Sequence, residues 1–410
     1  MTGQTRGAEL EPRRVTLVLC RPDGSLVGRL PTFEVALPWW QEVAPVVDEA
    51  RLRYGVDVTV LRLLEAESQR PGAGGPVAYL AELAEGARPP RTEPWEGADP
   101  QADEPLRQRW AQPGGPAADL AWADAALLAH GIPRSGPARQ IRTWNLSSLW
   151  RLPHDGGAAW LKVVPAFFAH EGAALSLLQG SPVPPLIAQE GPRVLLEEVP
   201  GEDQYTATGD RLVEMVHLLV DLQAAWVDRI DELSSIGAPD WRGPSLCTAL
   251  TDLVERAEAH VSSEVQARLR TLVATLPERL AAVAGCGLPD TLVHGDFHRG
   301  NLRTGPAVLV LMDWGDCGIG HPMLDQAAFC GPLPGEDARR VRAAWSTAWQ
   351  QHLPHSDPVR AAAMLAPVAA LRQALIYQVF LDGIEPAERA YHQADPGRWL
   401  VTADVLAAGG

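Results

Sequence analysis

The spacing of hydrophobic residues divides the first 85 positions into short strands and one helix. In RVTLVLCRPDGSLVGRL, residues 14–30, two apolar runs flank Pro22-Asp23-Gly24, which is a strong turn signal. The elements predicted here are, in chain order, a β-hairpin (14–30), a helix that ends near Gly55 (43–52) and two strands (56–64 and 76–83). The pattern therefore predicts a small α+β domain over residues 1–85.

Periodicity is lost between residues 86 and 116. The stretch GARPPRTEPWEGADPQADEPLRQRWAQPGGP is rich in proline, glycine and charged residues, and its apolar residues follow neither helix nor strand spacing. We predict a linker or long surface loop over 86–116, which separates the first domain from the rest of the chain.

Beyond residue 116, a group of strands precedes a long run of helical spacing. The elements are, in chain order, a helix (119–131), three strands with turns at 145–148 and 154–157, a second helix (169–180) and two more strands, in PPLIAQE and RVLLEEV. From Arg211 onward the spacing is mostly helical. This order predicts a two-lobed α+β fold, with a small β-rich lobe over 117–200 and a large helical lobe over 201–410.

Composition restricts the class of protein. Of the 410 residues, 46% are hydrophobic, which is ordinary for a globular protein. No apolar run reaches the ~18 residues of a membrane helix, and the start MTGQTRGAELEPRR has no apolar core typical of a signal peptide. The five cysteines are scattered and form no C-x-x-C pair, which argues against a disulfide framework or a zinc site. These features predict a soluble, cytoplasmic protein with reduced thiols and no membrane partner.

The net charge of −16 bears on the partners of the protein. A nucleic-acid-binding protein needs a basic surface to neutralise phosphates, so nucleic acid is not expected to be a partner. An acidic cleft attracts cations, so a cationic small molecule is compatible with this charge. The alternative is that the acidity only keeps the protein soluble.

The stretch HGDFHRGN, residues 294–301, carries the most specific chemistry. It places His294, Asp296 and Asn301 in the pattern H-x-D-x-x-x-x-N, and Asp313 follows at the end of an apolar strand. Phosphoryl transfer needs such a set, because one carboxylate accepts or positions the proton of the attacking hydroxyl and oxygen ligands hold magnesium against the phosphates. The pattern alone also arises by chance, so its meaning depends on what precedes it.

The stretch AAWLKVV, residues 158–164, contains Lys162, which is the only lysine among 35 basic residues. Arginine and lysine are interchangeable on a solvated surface, but they differ where a compact charge on a flexible stem is required. Lys162 ends a predicted strand, and Glu171 opens the next helix. A strand lysine paired with a helix glutamate is the arrangement that holds nucleotide phosphates in phosphoryl transfer.

Together these residues resemble the aminoglycoside phosphotransferase and choline kinase family, which is related to the protein kinases. The likeness spans residues 117–400 and also includes LLEEVPGE (195–202) and MDWGDCGIGHPMLD (312–325). It implies a protein-kinase-like fold that uses ATP and Mg²⁺. The roles it implies are Asp296 as catalytic base, Asn301 and Asp313 as magnesium ligands, Lys162 as the phosphate contact, Glu171 as its partner, and Glu197 to Val199 as the hinge that binds adenine.

Some positions depart from the family pattern. No G-x-G-x-x-G loop precedes the lysine, and the corresponding turn is WNLSS, residues 144–148. Its Ser147 and Ser148 are candidates to bind the β-phosphate through hydroxyl and backbone N–H groups. His298 is interpreted as a loop residue. The small-lobe tryptophans are predicted to be core rather than ligand contacts, namely Trp144, Trp150 and Trp160.

Residues 1–85 resemble a degenerate nudix fold. The Glu-rich metal-binding helix of that family is missing, because VVDEARLRYG offers only Asp48 and Glu49. The resemblance implies a domain without nudix chemistry, which we expect to bind a partner or to dimerise.

These observations predict an ATP- and Mg²⁺-dependent phosphotransferase that moves the γ-phosphate to a hydroxyl of a small molecule. The acceptor could be an aminoglycoside or another antibiotic, an amino alcohol or a sugar; neither it nor the oligomeric state follows from one sequence. No activation segment ending in A-P-E follows Asp313, which argues against a protein substrate. The alternative is a nucleotide-binding pseudokinase or regulatory module whose amino-terminal domain recruits a partner.

Overall fold

The computed structural model describes residues 10–67, 71–87, 91–304 and 309–409. Most of the amino-terminal stretch for which no signal peptide is expected lies outside these residues. Three positions of the predicted linker, 88–90, also lie outside them.

The first part of the chain forms an α+β unit, here called the amino-terminal unit (residues 10–67 and 71–87). Its elements are strands β1 (Arg13–Cys20), β2 (Leu26–Arg29) and β3 (Phe33–Val35), helix α1 (Ala44–Tyr54), and strands β4 (Val58–Ala66) and β5 (Gly75–Leu83). The sheet has the order β2-β1-β5-β4, with β3 paired to β1. Strands β1 and β2 are antiparallel, which confirms the predicted hairpin. Gly55 ends α1 with a φ of 65°, a left-handed conformation that glycine adopts without steric cost.

The predicted linker is packed in its second half. Trp110 lies in a 3₁₀ turn, Arg109–Ala111, and is 2% exposed among apolar residues of the small lobe. Helix α2 (Gly115–Ala129) begins before the position predicted for it, with Pro116 in its first turn. Proline is well suited to that place because it lacks the N–H that would have no helical partner there. Glycine and proline are common in loops, but they also occur at the start of helices. For this reason the composition of residues 113–116 predicted a loop where α2 begins.

The small lobe is an antiparallel sheet flanked by two helices. After α2 come β6 (Arg139–Trp144), β7 (Ser147–His154), β8 (Gly157–Val163), α3 (Glu171–Leu177), β9 (Leu186–Glu190) and β10 (Arg193–Glu197). The order in the sheet is β6-β7-β8-β10-β9. The turn predicted at 145–148 contains only Asn145 and Leu146, since β7 already begins at Ser147. Strands β8 and β10 therefore lie side by side, and β10 leads directly into the segment that joins the lobes.

The large lobe is mainly helical. Its elements are β11 (Glu202–Asp203), α4 (Asp210–Ala225), α5 (Ile230–Ser235), α6 (Gly243–Glu255), α7 (Ser263–Ala274), α8 (Leu276–Ala284), β12 (Thr291–Val293), β13 (Leu302–Thr304), β14 (Leu309–Leu311), β15 (Gly318–Gly320), α9 (Leu324–Cys330), α10 (Gly335–His352), α11 (Pro358–Gly383) and α12 (Asp395–Ala408). Two small sheets, β11-β13-β14 and β12-β15, flank the loop that contains Asp296. The helices form one large apolar core beneath these sheets.

Helix α11 is the one helix in the described part of the chain that is long and apolar enough to cross a membrane. In its most apolar 18-residue window, 61% of the positions are buried inside the protein. Packing in the core therefore accounts for its apolar sequence.

The carboxyl-terminal segment ties the amino-terminal unit to the large lobe. The 3₁₀ helix Pro386–Tyr391 runs beside β4, where the Leu63 N–H donates to Glu388 Oε1 at 2.8 Å. Tyr391 enters the core of the amino-terminal sheet. A short piece of the last 25 residues thus stabilises the first 85.

Glu388 makes this contact sensitive to pH. Burial, with help from the neighbouring Glu385 carboxylate, raises the pKa of Glu388 from 4.5 to about 8. Between these values the folded protein binds a proton that the unfolded chain does not. We therefore expect the free energy of unfolding to fall as pH rises through this window, by at most about 1.4 kcal/mol per pH unit.

The variant Glu388→Gln isolates this contribution, because Gln keeps the acceptor oxygen for Leu63 and removes the titration. Chemical unfolding between pH 5 and pH 8.5 should show the variant gaining stability relative to the unaltered protein as pH rises. Glu258→Gln, an exposed position, serves as the control. The same pH slope in all three proteins would contradict the prediction.

Candidate active site

A cavity of about 1090 Å³ lies where the two lobes meet. Its walls come from the small-lobe sheet, the segment Glu197–Gly201 between the lobes, the loop 296–301, the segment 312–316 and helices α11 and α12. All the predicted site residues line it except Ser148. The predicted residues are therefore brought together from strands and loops that lie far apart in the sequence.

Lys162 bridges two carboxylates across this cavity. Its Nζ lies 2.7 Å from Glu171 Oε1 and 2.7 Å from Asp313 Oδ1. Strand β8 supplies the lysine and the first residue of α3 supplies Glu171, so the pair depends on the packing of α3 against the sheet. Glu171 also accepts a hydrogen bond from the Trp314 N–H at 3.3 Å, which ties it to the segment that carries Asp313.

Electrostatics keeps Lys162 and Asp313 ionised. Burial by itself lowers the pKa of Lys162, but the carboxylates of Asp313 and Glu171 outweigh it and raise that pKa above its ordinary value. Burial likewise opposes the charge on Asp313, and the ammonium of Lys162 nevertheless holds the pKa of that carboxyl below its usual range. The lysine is therefore a fixed positive charge directed into the cavity.

Asp313 has an unusual backbone. It is the only non-glycine residue with a positive φ in the described part of the chain, at 63°. Aspartate tolerates this left-handed conformation better than most residues, but strained conformations of this kind concentrate at functional sites. The turn directs the half-exposed carboxylate of Asp313 back toward Lys162.

Asp296 and Asn301 form a second polar group within one short loop. Asn301 Nδ2 donates to the Asp296 carbonyl oxygen at 2.9 Å and to Asp296 Oδ2 at 3.2 Å. His298 Nε2 lies 3.4 Å from the same Oδ2. Burial opposes the charge on Asp296, but the imidazole of His298 favours it, and the pKa of the carboxyl lies below its usual range. His298 is therefore more than the plain loop residue expected from the sequence.

The buried carboxylate of Asp325 binds the backbone of this loop. It accepts hydrogen bonds from the N–H groups of His294 and Gly295 at 2.9 and 2.8 Å, and a third from the Gln223 side chain. The His294 ring spans the Met312 carbonyl and the Asp296 N–H, so it joins the two halves of the site. A Cβ at Gly295 would lie 2.1 Å from the Asp316 carbonyl oxygen, so this position requires glycine.

Ser148 is a correction to the sequence prediction. It is the second residue of β7, is 1% exposed, and its hydroxyl accepts a hydrogen bond from the Trp150 indole at 3.0 Å. Successive side chains on a strand point to opposite faces, so Ser147 lines the cavity and Ser148 faces the core. Ser148 is thus not positioned to contact a phosphate.

The three tryptophans predicted to be core differ in burial. Trp150 is buried, as predicted, but Trp144 and Trp160 are only partly buried and line the cavity. Apolar residues can occupy both faces of a strand when one face packs in the core and the other lines a cavity. The alternation of residues in the sequence then does not show which face is which. Glu197 and Val199 line the cavity as well.

Two residues were missed from the sequence: Asp316, which lines the cavity, and Arg372, which contacts the loop that carries Asp296. Asp316 lies beside Asp296 and Asp313, and burial together with these like charges raises its pKa well above the usual range. Arg372 is 1% exposed on α11 and donates to the Gly295 carbonyl oxygen at 3.3 Å. A lone arginine in the apolar run of α11 was a usable signal, since a buried charge needs a structural reason.

The donor set of this site fits a magnesium ion. The amide nitrogen of Asn301 is used within the loop, which leaves its carbonyl oxygen for a ligand, and Asp313 adds a carboxylate. The described residues contain no cluster of three or more His, Cys, Asp or Glu arranged to hold a metal. Two protein oxygens suit Mg²⁺, which in nucleotide sites takes its remaining ligands from phosphates and water.

Solved structures share the fold of this chain. A candidate aminoglycoside phosphotransferase from Ralstonia eutropha JMP134 aligns with a TM-score of 0.50 and 18% identity, over 72% of this chain and 98% of that one. A macrolide 2′-phosphotransferase type I aligns at 0.49 and 17%, over 70% and 96% of the two chains. A choline kinase from Cryptosporidium parvum Iowa II aligns at 0.49 and 14%, over 67% and 90%. The first alignment shows the protein-kinase-like fold predicted from the sequence.

Sequence comparison identifies the family. Among curated proteins, no match to the chain is found. The model of the phosphotransferase enzyme family, APH, matches residues 149–363. This range includes Lys162, the loop 296–301 and Asp313. Because this match spans just over half of the 410 residues, the chain belongs to the phosphotransferase enzyme family.

Proposed function

We propose that the protein transfers the γ-phosphate of ATP, with Mg²⁺, to a hydroxyl of a small molecule. One observation carries the proposal: a charged triplet of Lys162, Glu171 and Asp313 faces Asp296 and Asn301 across a single cavity. Nothing in the fold itself requires all five polar residues to meet there. Phosphoryl transfer does require them, because it proceeds by positioning and by stabilisation of charge.

In this proposal Lys162 contacts the α- and β-phosphates. Glu171 holds the lysine at the end of β8, with its 2% exposed side chain fixed in the core. The lysine presents a compact positive charge that burial between two carboxylates keeps in place. The adenine would lie against the segment Glu197–Val199. Ser147, the first residue of β7, remains a candidate phosphate contact.

Asp296 orients the attacking hydroxyl and accepts its proton. The depressed pKa of its carboxyl keeps it ionised at neutral pH, so it is able to hold the hydroxyl hydrogen before transfer. Asn301 restrains the carboxylate through its 3.2 Å hydrogen bond to Oδ2. His298 supports the same oxygen from the other side.

Asn301 and Asp313 would hold magnesium through their side-chain oxygens. The ion would supply positive charge that neutralises the phosphate oxygens during transfer. Lys162 must then share Asp313 with the metal, which its flexible stem allows.

The acceptor in this proposal is a small molecule. The family match covers enzymes that transfer phosphate, and the cavity exceeds the roughly 300–1,000 Å³ usual for a single-ligand pocket. It therefore has room for a nucleotide and an acceptor together.

The test is transfer of γ-labelled phosphate from ATP to a panel of aminoglycosides, other hydroxylated antibiotics, amino alcohols and sugars. We expect label on at least one acceptor with Mg²⁺ and none after chelation with EDTA. Bound ATP without label on any acceptor, and without hydrolysis, would favour the pseudokinase alternative instead.

A further inference from the structure

The amino-terminal unit contributes directly to the cavity that holds the phosphotransfer residues. Four of its residues line that cavity: Trp39, Gln41, Pro71 and Gly72. They lie outside the part of the chain that matches the family model, residues 149–363. The unit therefore lies outside the region that matches the family model, and it contributes to the same cavity.

A backbone connection fixes the position of the unit. Residues 41–43 run antiparallel beside the edge strand β6. The Thr143 N–H donates to the Gln41 carbonyl oxygen and the Val43 N–H to the Ile141 carbonyl oxygen, both at 3.1 Å. The segment thus extends the small-lobe sheet by one short strand, as an added peptide does at a sheet edge.

Side chains reinforce the same junction. Arg142 and Glu42 form an ion pair at 2.5 Å, and both are largely shielded from solvent. The amide of Gln140 pairs with the backbone of Val60, accepting from its N–H at 2.9 Å and donating to its carbonyl at 2.7 Å. Because Gln140 is 5% exposed, these bonds are not in competition with water. These contacts hold the unit against β6.

Aromatic rings continue the wall toward the large lobe. The ring of Tyr391 lies 5.4 Å from that of Trp40 and 5.6 Å from that of Trp144. A Cβ on Gly72 would lie 3.6 Å from the Tyr391 ring, so the loop of Pro71 and Gly72 rests on this tyrosine. The next residue, His392, packs against Tyr377 of α11 at 5.6 Å.

This wall adjoins β6, which lies at one edge of the small-lobe sheet. Its neighbours come from α11 and α12, which contribute Tyr377, Asp395 and Arg398 to the lining. The adenine segment, 197–199, instead follows β10, which β7 and β8 separate from β6 in the sheet. The amino-terminal residues consequently border the half of the cavity into which the acceptor must fit.

We propose that the amino-terminal unit forms a wall of the acceptor half and that Trp39 is a specificity-determining residue there. The proposal rests on the phosphotransferase activity proposed above and assigns part of its acceptor selection. Aromatic faces pack on flat apolar surfaces, and the amide, carboxylate and guanidinium groups of Gln41, Asp395 and Arg398 bind polar edges. An acceptor with one flat apolar face and several polar substituents fits this wall.

The experiment compares Trp39→Ala and Trp39→Phe with Trp95→Ala in the full chain. Trp95 follows the same unit and packs on the outer face of its sheet, and it does not line the cavity. For the best acceptor of the panel, we expect Trp39→Ala to raise the acceptor KM about tenfold while the KM for ATP changes by less than about twofold. Trp39→Ala should also hydrolyse ATP faster than the unaltered protein when no acceptor is present, because water gains access to the cavity. Both values for Trp39→Phe should lie between those of Trp39→Ala and those of the unaltered protein. Trp95→Ala should match the unaltered protein.

The outcomes separate the two proposals. If the unaltered protein transfers phosphate and the Trp39 variants match Trp95→Ala in acceptor KM and in hydrolysis, the acceptor wall is wrong and the enzyme assignment stands. If the unaltered protein neither transfers phosphate nor hydrolyses ATP, both proposals fail. Equal losses for acceptor and ATP would indicate a purely structural tryptophan and would also overturn the wall. Should Trp39→Ala fail to fold, Trp39→Phe retains a ring and decides by the same KM comparison.

Discussion

Asp296→Asn is expected to lower kcat by ~10²–10⁴-fold, which is the usual contribution of a positioned general base. Asparagine has the size of aspartate and keeps one oxygen for the contact with Asn301, so the loop should retain its conformation. It cannot accept the hydroxyl proton. Because Asp296 makes no contact with Lys162 or with the adenine segment, we expect the affinity for ATP to change little.

Two measurements check this result: steady-state transfer with the best acceptor, and equilibrium binding of ATP. The matched control is Asp252→Asn, the same exchange at an exposed position of α6. Equal turnover in Asp296→Asn and Asp252→Asn would remove Asp296 from the mechanism. Loss of ATP binding in Asp296→Asn would instead mean that the loop had changed shape.

Lys162→Arg is expected to reduce kcat/KM for ATP by ~10²-fold or more, even though the positive charge is retained. The ammonium of Lys162 fits between two carboxylates at 2.7 Å each and is 15% exposed. The planar guanidinium is wider and binds carboxylates through two parallel bonds. It would pair with Glu171 or Asp313 in its own geometry and move the charge away from the phosphates.

The control for this exchange is Arg229→Lys, which alters an exposed pair with Glu232. Thermal unfolding should show that Lys162→Arg still folds, because the buried Glu171 keeps a cationic partner. Lys162→Ala should be less stable by about 3–5 kcal/mol, since it leaves that carboxylate buried and unpaired. An arginine variant with unchanged ATP kinetics would show that any positive charge suffices at this position.

The sequence predicted the parts of the site that are local. Asp296 and Asn301 lie five residues apart, so a single loop had to bring them together, and their spacing alone indicated it. The meeting of Lys162 with Asp313, separated by 151 positions, was predicted only through resemblance to a family. That contact joins β8 of the small lobe to the segment after β14 of the large lobe, with Glu171 of α3 bonded to both. Packing between lobes has no short sequence signature.

The error at Ser148 comes from the alternation of side chains along a strand. A shift of one residue in the register of β7 decides whether a given serine faces the cavity or the core. Sequence patterns locate strand ends only to within a few residues. Ser148 was therefore misassigned although the strand was predicted. The junction of residues 41–43 with β6 was missed for another reason: its bonds are between backbone groups, which every residue carries.

The single side-chain amine of these 410 residues has a consequence for how the protein can be regulated and probed. Acetylation, methylation and ubiquitination act on lysine, and here their only side-chain target is enclosed between two carboxylates at the reaction centre. Modification at Lys162 would remove the proposed phosphate contact, so we expect lysine-directed tagging of the folded protein to abolish the proposed activity. Apart from the α-amino group of the chain, an amine-reactive reagent can label only Lys162. We expect bound nucleotide to protect Lys162 from the reagent and unfolding to expose it.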